Sequence, residues 1–136
     1  MPPPLPGGFL ARLRRRLLWV DCGAAFLAGV AVLALAGWLS RLYALPRGLL
    51  VGMGVANLGY GAFSYSLARR ARRPPALLVL LVAANAAWAG LCGVAAVRLA
   101  GTASALGLAH LVGEGLFVGA LAGLEWSQRE RLRSAG

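Results

Sequence analysis

Four apolar runs of about twenty residues each, joined by short arginine-bearing connections, limit what this chain can fold into more than any other feature. They cover Leu17 to Leu39, Leu49 to Ala68, Ala76 to Val97 and Ser104 to Leu124. At about 1.5 Å of rise per helical residue, each can cross a hydrocarbon layer of about 30 Å. A soluble domain of 136 residues cannot bury four such segments at once. The chain therefore reads as an all-α membrane protein, an antiparallel up-down-up-down bundle of four transmembrane helices. Composition agrees, with 60% hydrophobic residues and a mean hydropathy of +0.73.

All 14 basic residues are arginine and the formal net charge is +10. Such a charge raises the question of nucleic acid, but these arginines flank apolar spans and form no basic stripe with interleaved aromatics, so no nucleic-acid partner is expected. Their distribution instead fixes an orientation. Arg12, Arg14, Arg15, Arg16, Arg69, Arg70, Arg72, Arg73, Arg129, Arg131 and Arg133 fall on one side, and only Arg41, Arg47 and Arg98 on the other. The positive-inside rule then places both termini in the cytoplasm.

Residues 1–16 read as a disordered and interfacial N-terminal segment, in which Phe9, Leu10 and Leu13 lead at helical spacing into the first span. Residues 17–126 form the transmembrane domain and 127–136 a cytoplasmic tail. Pro46 and the Pro74-Pro75 pair precede the second and third spans, where a missing N–H costs nothing, and Ser104 can cap the fourth. Cys22 and Cys92 lie at different depths, so no disulfide is expected.

In lipid, helices gain nothing by hiding apolar surface from one another, and small residues therefore mark close contacts. Gly115, Gly119 and Gly123 form a ladder at four-residue intervals on the fourth span, readable as packing within the bundle or as a face for a homo-oligomer. Gly48, Gly52 and Ala56 on the second span, and Ala25 with Gly29 on the first, make weaker ladders. The polar groups a bilayer resists most are Asp21, Asn57, Asn85, His110 and Glu114. Asn57, Asn85 and Glu114 fall about 12 to 15 Å deep, near the midplane, and His110 shares the face of Glu114 one turn away. In the second and third spans an asparagine is followed three residues later by an aromatic, Asn57 with Tyr60 and Asn85 with Trp88. A midplane carboxylate is costly, so Glu114 is expected either to keep its proton or to pair with His110 and the two amides. Asp21, near the arginine run, reads as an interfacial anchor paired with an arginine. Glu125 and Arg129 are spaced for an i,i+4 pair.

No phosphate loop, serine elbow or pair of catalytic carboxylates occurs, so no enzymatic activity, catalytic residue or cofactor is expected. His110 and Glu114 supply two metal ligands, one short of a minimal catalytic site, and no metal is expected either.

From Trp19-Val20-Asp21 through Ala56-Asn57, Ala84-Asn85-Ala86-Ala87-Trp88 and Gly107 to Leu124-Glu125-Trp126, the core resembles a large set of small, uncharacterised bacterial four-span integral membrane proteins. The resemblance implies the four-span topology and a bacterial inner (plasma) membrane; it implies no activity and no site residue. The reading that follows is a non-enzymatic accessory subunit or membrane scaffold, whose partners are the bilayer and a second copy or another membrane protein. The alternative is a proton-linked small transporter using Glu114, His110, Asn57 and Asn85.

Overall fold

A computed structural model describes residues 16–134 together with Gly8 and Arg12. The expectations for Phe9, Leu10, Leu13 and most of the N-terminal segment fall outside the described residues. Four long helices follow one another, α1 (Leu17–Tyr43), α2 (Arg47–Ala68), α3 (Pro75–Leu99) and α4 (Ala105–Ser127), before a single turn, α5 (Arg129–Leu132). There is no strand among the described residues, only an isolated bridge between Arg72 and Ser134.

The helices outrun the apolar segments by up to a turn, which shortens the connections below what the apolar runs alone suggest. Between α1 and α2 only Ala44, Leu45 and Pro46 remain. Ala44 closes α1 in the left-handed region (φ 50°), a conformation glycine takes more easily than alanine. The Ser40 hydroxyl donates to Leu45 O (2.7 Å), and Pro46 then opens α2. Ser104 caps α4 by accepting from the Gly107 N–H (3.1 Å). It also donates its hydroxyl to Leu42 O and its own N–H to Tyr43 O, both at 2.8 Å, tying the start of α4 to the end of α1.

α1 lies along α2 and α3 along α4, and α1 also meets α4 across these two hairpins. The backbones of the first hairpin come close at Gly29 and Gly54. A Cβ at Gly29 would lie 3.0 Å from Gly54 O and 2.9 Å from the Leu58 side chain, and one at Gly54 would lie 2.6 Å from Leu33. Gly115 meets Cys92 and Ala89 on α3, Gly119 makes ordinary contact with Ala89, and Gly123 faces open space. The expected ladder is thus an α3–α4 contact at two of its three steps.

Two apolar clusters close the ends of the assembly. Leu17, Leu18, Leu67, Leu78, Leu81 and Leu121 pack at the end that carries residue 16 and α5, and Val32, Ala36, Leu39, Leu50, Met53 and Leu111 at the other. Outward, Leu27, Val97 and Leu116 are 74%, 78% and 71% exposed. A soluble surface does not carry such residues around its whole circumference. α1, α3 and α4 are each long and apolar enough to cross a membrane.

The C-terminal turn is anchored by a residue whose sequence role was topology alone. Arg73 is buried, donating to Leu67 O (2.7 Å), Ala68 O (3.1 Å) and Leu132 O (2.8 Å), while its N–H donates to Arg133 O (2.8 Å). It satisfies carbonyls left open at the end of α2 and docks α5 beside them. Burial draws the Arg73 guanidinium below its ordinary pKa, and the three carbonyls it bonds favour its charged form.

Candidate functional site

The inward stripe of α2 explains how polar groups come to lie between the hairpins. Gly54, Asn57, Gly61 and Ser64 recur at three- and four-residue spacing and are all buried, so they share one face. α3 does the same with Leu78, Leu81, Asn85 and Cys92. Both cysteines are free, as expected from their depths.

Glu114 on α4 is the centre of one polar cluster. Its Oε1 accepts from Trp88 Nε1–H (2.8 Å) and from the Asn57 amide (3.3 Å), and its Oε2 lies 3.0 Å from His110 Nε2. His110 Nδ1 is 3.2 Å from the Tyr43 hydroxyl, with the two rings 5.1 Å apart. One neutral tautomer satisfies both contacts, Nε2–H donating to Glu114 and Nδ1 accepting from Tyr43. Every partner of Glu114 is a donor, so the carboxyl group is held as an acceptor by three neighbouring side chains.

Asn85 does not join this cluster. Its amide donates to the Tyr60 hydroxyl (2.6 Å) and to Glu125 Oε2 (2.8 Å). Tyr60 in turn donates to Asp21 Oδ2 (2.5 Å), and Ser64 donates to the same oxygen (2.8 Å). This second cluster, Asp21–Tyr60–Ser64–Asn85–Glu125, bears on two expectations. Asp21 is 2% exposed and accepts from two hydroxyls of α2, and among the described residues no arginine pairs with it. Glu125 is 1% exposed and makes no pair with Arg129, whose guanidinium donates to Trp126 O (2.8 Å) and lies 4.3 Å over the Trp126 ring. α4 runs on to Ser127, and this keeps Glu125 on the buried side of the helix.

The two clusters open onto one cavity of about 500 Å³, bounded by all four long helices. Asp21, Tyr60 and Asn85 line it from one cluster and Asn57, Trp88, His110 and Glu114 from the other. Its width comes from small residues, Ala24, Ala25, Ala28, Ala56, Ala84 and Gly113, facing inward at the same level. The volume falls in the range of small-molecule sites, about 300–1,000 Å³, and a mostly apolar wall with a few converging polar groups is what such sites need. Among the described residues no group of three or more His, Cys, Asp or Glu side chains is placed to hold a metal ion.

The three-residue offset in the sequence acquires a meaning here. Tyr60 bonds Asn85, while Asn57 and Trp88 both bond Glu114, so the two asparagine–aromatic pairs are shared crosswise between the clusters. Neither Asp21 nor Glu125 was marked by its neighbours in the sequence as part of a buried site. No protein-family profile, curated protein or solved structure matches the chain, so its functional reading rests on this geometry.

Proposed function

We propose that the chain is a four-span protein of the bacterial inner membrane, with both termini cytoplasmic, that binds a small, largely apolar molecule bearing a basic group in the cavity between its hairpins. Handling of that molecule is linked to protons through Glu114 and His110. The observation that carries this reading is the convergence of the Glu114 cluster on a cavity, where groups serving only as helix glue would pack against one another. Among the described residues no arginine lines that cavity, and its acidic groups favour a positively charged guest over an anion.

α2 counts as the fourth span on this reading although it is the least apolar of the long helices. Its glycines and polar residues, Gly54, Asn57, Gly61 and Ser64, are turned inward, and Val51 and Val55 face out. The eleven-to-three arginine division supplies the orientation. Reporter fusions after Ser134 and within Arg69 to Arg73 are expected to report cytoplasm, and fusions near Pro46 and Thr102 the outside. An external C-terminus would overturn the topology.

Binding is tested with benzyltrimethylammonium and its neutral carbon isostere, neopentylbenzene, on the full chain in lipid nanodiscs. The cation is expected to bind at least tenfold more tightly than the isostere. Glu114→Gln is expected to remove most of that preference, and Ala28→Leu with Ala84→Leu to block both probes by filling the cavity. Equal binding of both probes, or cation binding unaffected by filling the cavity, refutes the reading.

A second reading, the accessory subunit or scaffold, draws support from a different surface. Gly48 and Gly52 face open space beside an apolar groove between α2 and α3 that also presents Leu91 and Val94. A partner helix could approach closely there. Under this reading, leucine at Gly52 changes assembly size in detergent and leaves probe binding intact.

A further inference from the structure

We propose that Asp21 and Glu125 share a single proton and so form a second proton-binding site, at the opposite end of the cavity from Glu114 and His110. Glu125 Oε1 is buried and is the one buried side-chain polar atom among the described residues that lacks a hydrogen-bond partner. The two carboxyl groups are joined through one chain of hydrogen bonds: the Tyr60 hydroxyl donates to Asp21 Oδ2 and accepts from the Asn85 amide, which also donates to Glu125 Oε2. Two ionised carboxylates in one buried network offer acceptors only, and a proton held between them supplies the donor that Glu125 Oε1 lacks. The orphaned atom is explained by that proton without any further group.

Among the described residues no cation pairs with either carboxyl group. Facing the pair are Tyr60 and Ser64 from α2 and Asn85 from α3, all uncharged donors. α1 adds Cys22 beside Asp21, its thiol bonded to Trp19 O, and the nearest basic residue in sequence to Glu125, Arg129, is occupied by Trp126. Two ionised carboxylates held together in an apolar interior repel strongly and lose their hydration, and one retained proton removes both penalties. The contrast with Glu114 is informative. Glu114 has three side-chain donors, while Glu125 has one.

The pair joins α1 to α4, the two helices that meet across the hairpins. Releasing the proton turns one carboxylic acid and one carboxylate into two carboxylates, which pushes these helices apart; rebinding draws them together. Tyr60 and Asn85, which bond the pair and also line the cavity, are the structural connection between that proton and whatever the cavity holds. The inference does not require the ligand proposed above.

Infrared difference spectra of the full chain in nanodiscs, recorded between neutral and strongly alkaline pH, test it. The parent is expected to show at neutral pH the C=O stretch of a protonated carboxyl group that shifts in D2O. Glu125→Gln is expected to lose that band and to stay folded, because the amide N–H donates to Asp21 in place of the proton. Asp21→Asn is expected to move the band to a different pH of titration, and Glu114→Gln to leave it unchanged. Absence of the band from the parent, its persistence in Glu125→Gln, or its loss on replacing N-methylglucamine by sodium each overturns the proposal, the last by assigning the site to a metal cation. Loss of benzyltrimethylammonium binding with the band intact would strike the cavity reading alone.

Discussion

Replacing Gly107 with alanine is expected to loosen the junction between the hairpins more than any comparably small change. The added methyl would run into the carbonyl oxygen of Tyr43, a backbone atom that already accepts from the Ser104 N–H and cannot swing aside as a side-chain end could. Relief requires α4 to move off α1, and overpacking of this kind costs about 1–3 kcal/mol. The displacement takes Ser104 and Tyr43 with it, so the Tyr43–His110 contact is expected to open as well. Thermal unfolding in detergent reads the loss of stability. Gly123→Ala provides the contrast, because a methyl there meets nothing within 4 Å. Equal midpoints for the two variants would remove the α1–α4 junction from the account.

The glycine pattern shows how far spacing alone reaches. Gly107, Gly115, Gly119 and Gly123 lie on one four-residue row of α4, together with Leu111. Each four-residue step turns about 40° on an ideal helix, so the row swings about 160° from its first member to its last. Gly107 consequently meets α1, Gly115 meets α3 and Gly123 meets nothing, although the sequence presents them as equals. Regularity reveals small residues; it does not say which neighbour each one meets.

The polar groups divide in the same way. His110 and Glu114 are four residues apart on one helix, a local relation that sequence displays directly. Depth along the span also places Asn57 and Trp88 beside them. Asp21 is different, because its donors Tyr60 and Ser64 arrive from another helix about forty residues away. Judged by its neighbours, it belongs with the arginines before α1. Glu125 likewise carries the signature of a tail, followed by Trp126 and Arg129, until α4 continues past it and turns it inward. One readable signal was available. Gly54, Asn57, Gly61 and Ser64 stripe a single face of α2, and a polar stripe inside a bilayer calls for acceptors at every level, including the one where Asp21 and Glu125 sit.

Asn85→Leu is expected to destabilise the fold by about 1–3 kcal/mol, well above the average of about 0.6 kcal/mol for a hydrogen bond between membrane helices. The difference lies in what remains behind. Asn85 is the side-chain donor that holds Glu125 Oε2, and Glu125 is 1% exposed, so without the amide that oxygen has no partner left. The stranded carboxyl group cannot turn to water, so the full desolvation cost is felt. Asn57→Leu serves as the comparison. Asn57 contributes a longer bond of 3.3 Å to a Glu114 that keeps Trp88 and His110, and its loss is expected to cost no more than the membrane average. A double change sharpens the test. If the penalty of Asn85→Leu comes from stranding Glu125, adding Glu125→Met removes the stranded group and is expected to restore most of the stability, since deleting both partners of a buried pair is close to neutral. Tyr60 keeps Asp21 as its acceptor in that background. Unfolding midpoints of the single and double variants in the same detergent decide it. A double variant no more stable than Asn85→Leu would mean that the amide acts through packing against Tyr60 and not through Glu125.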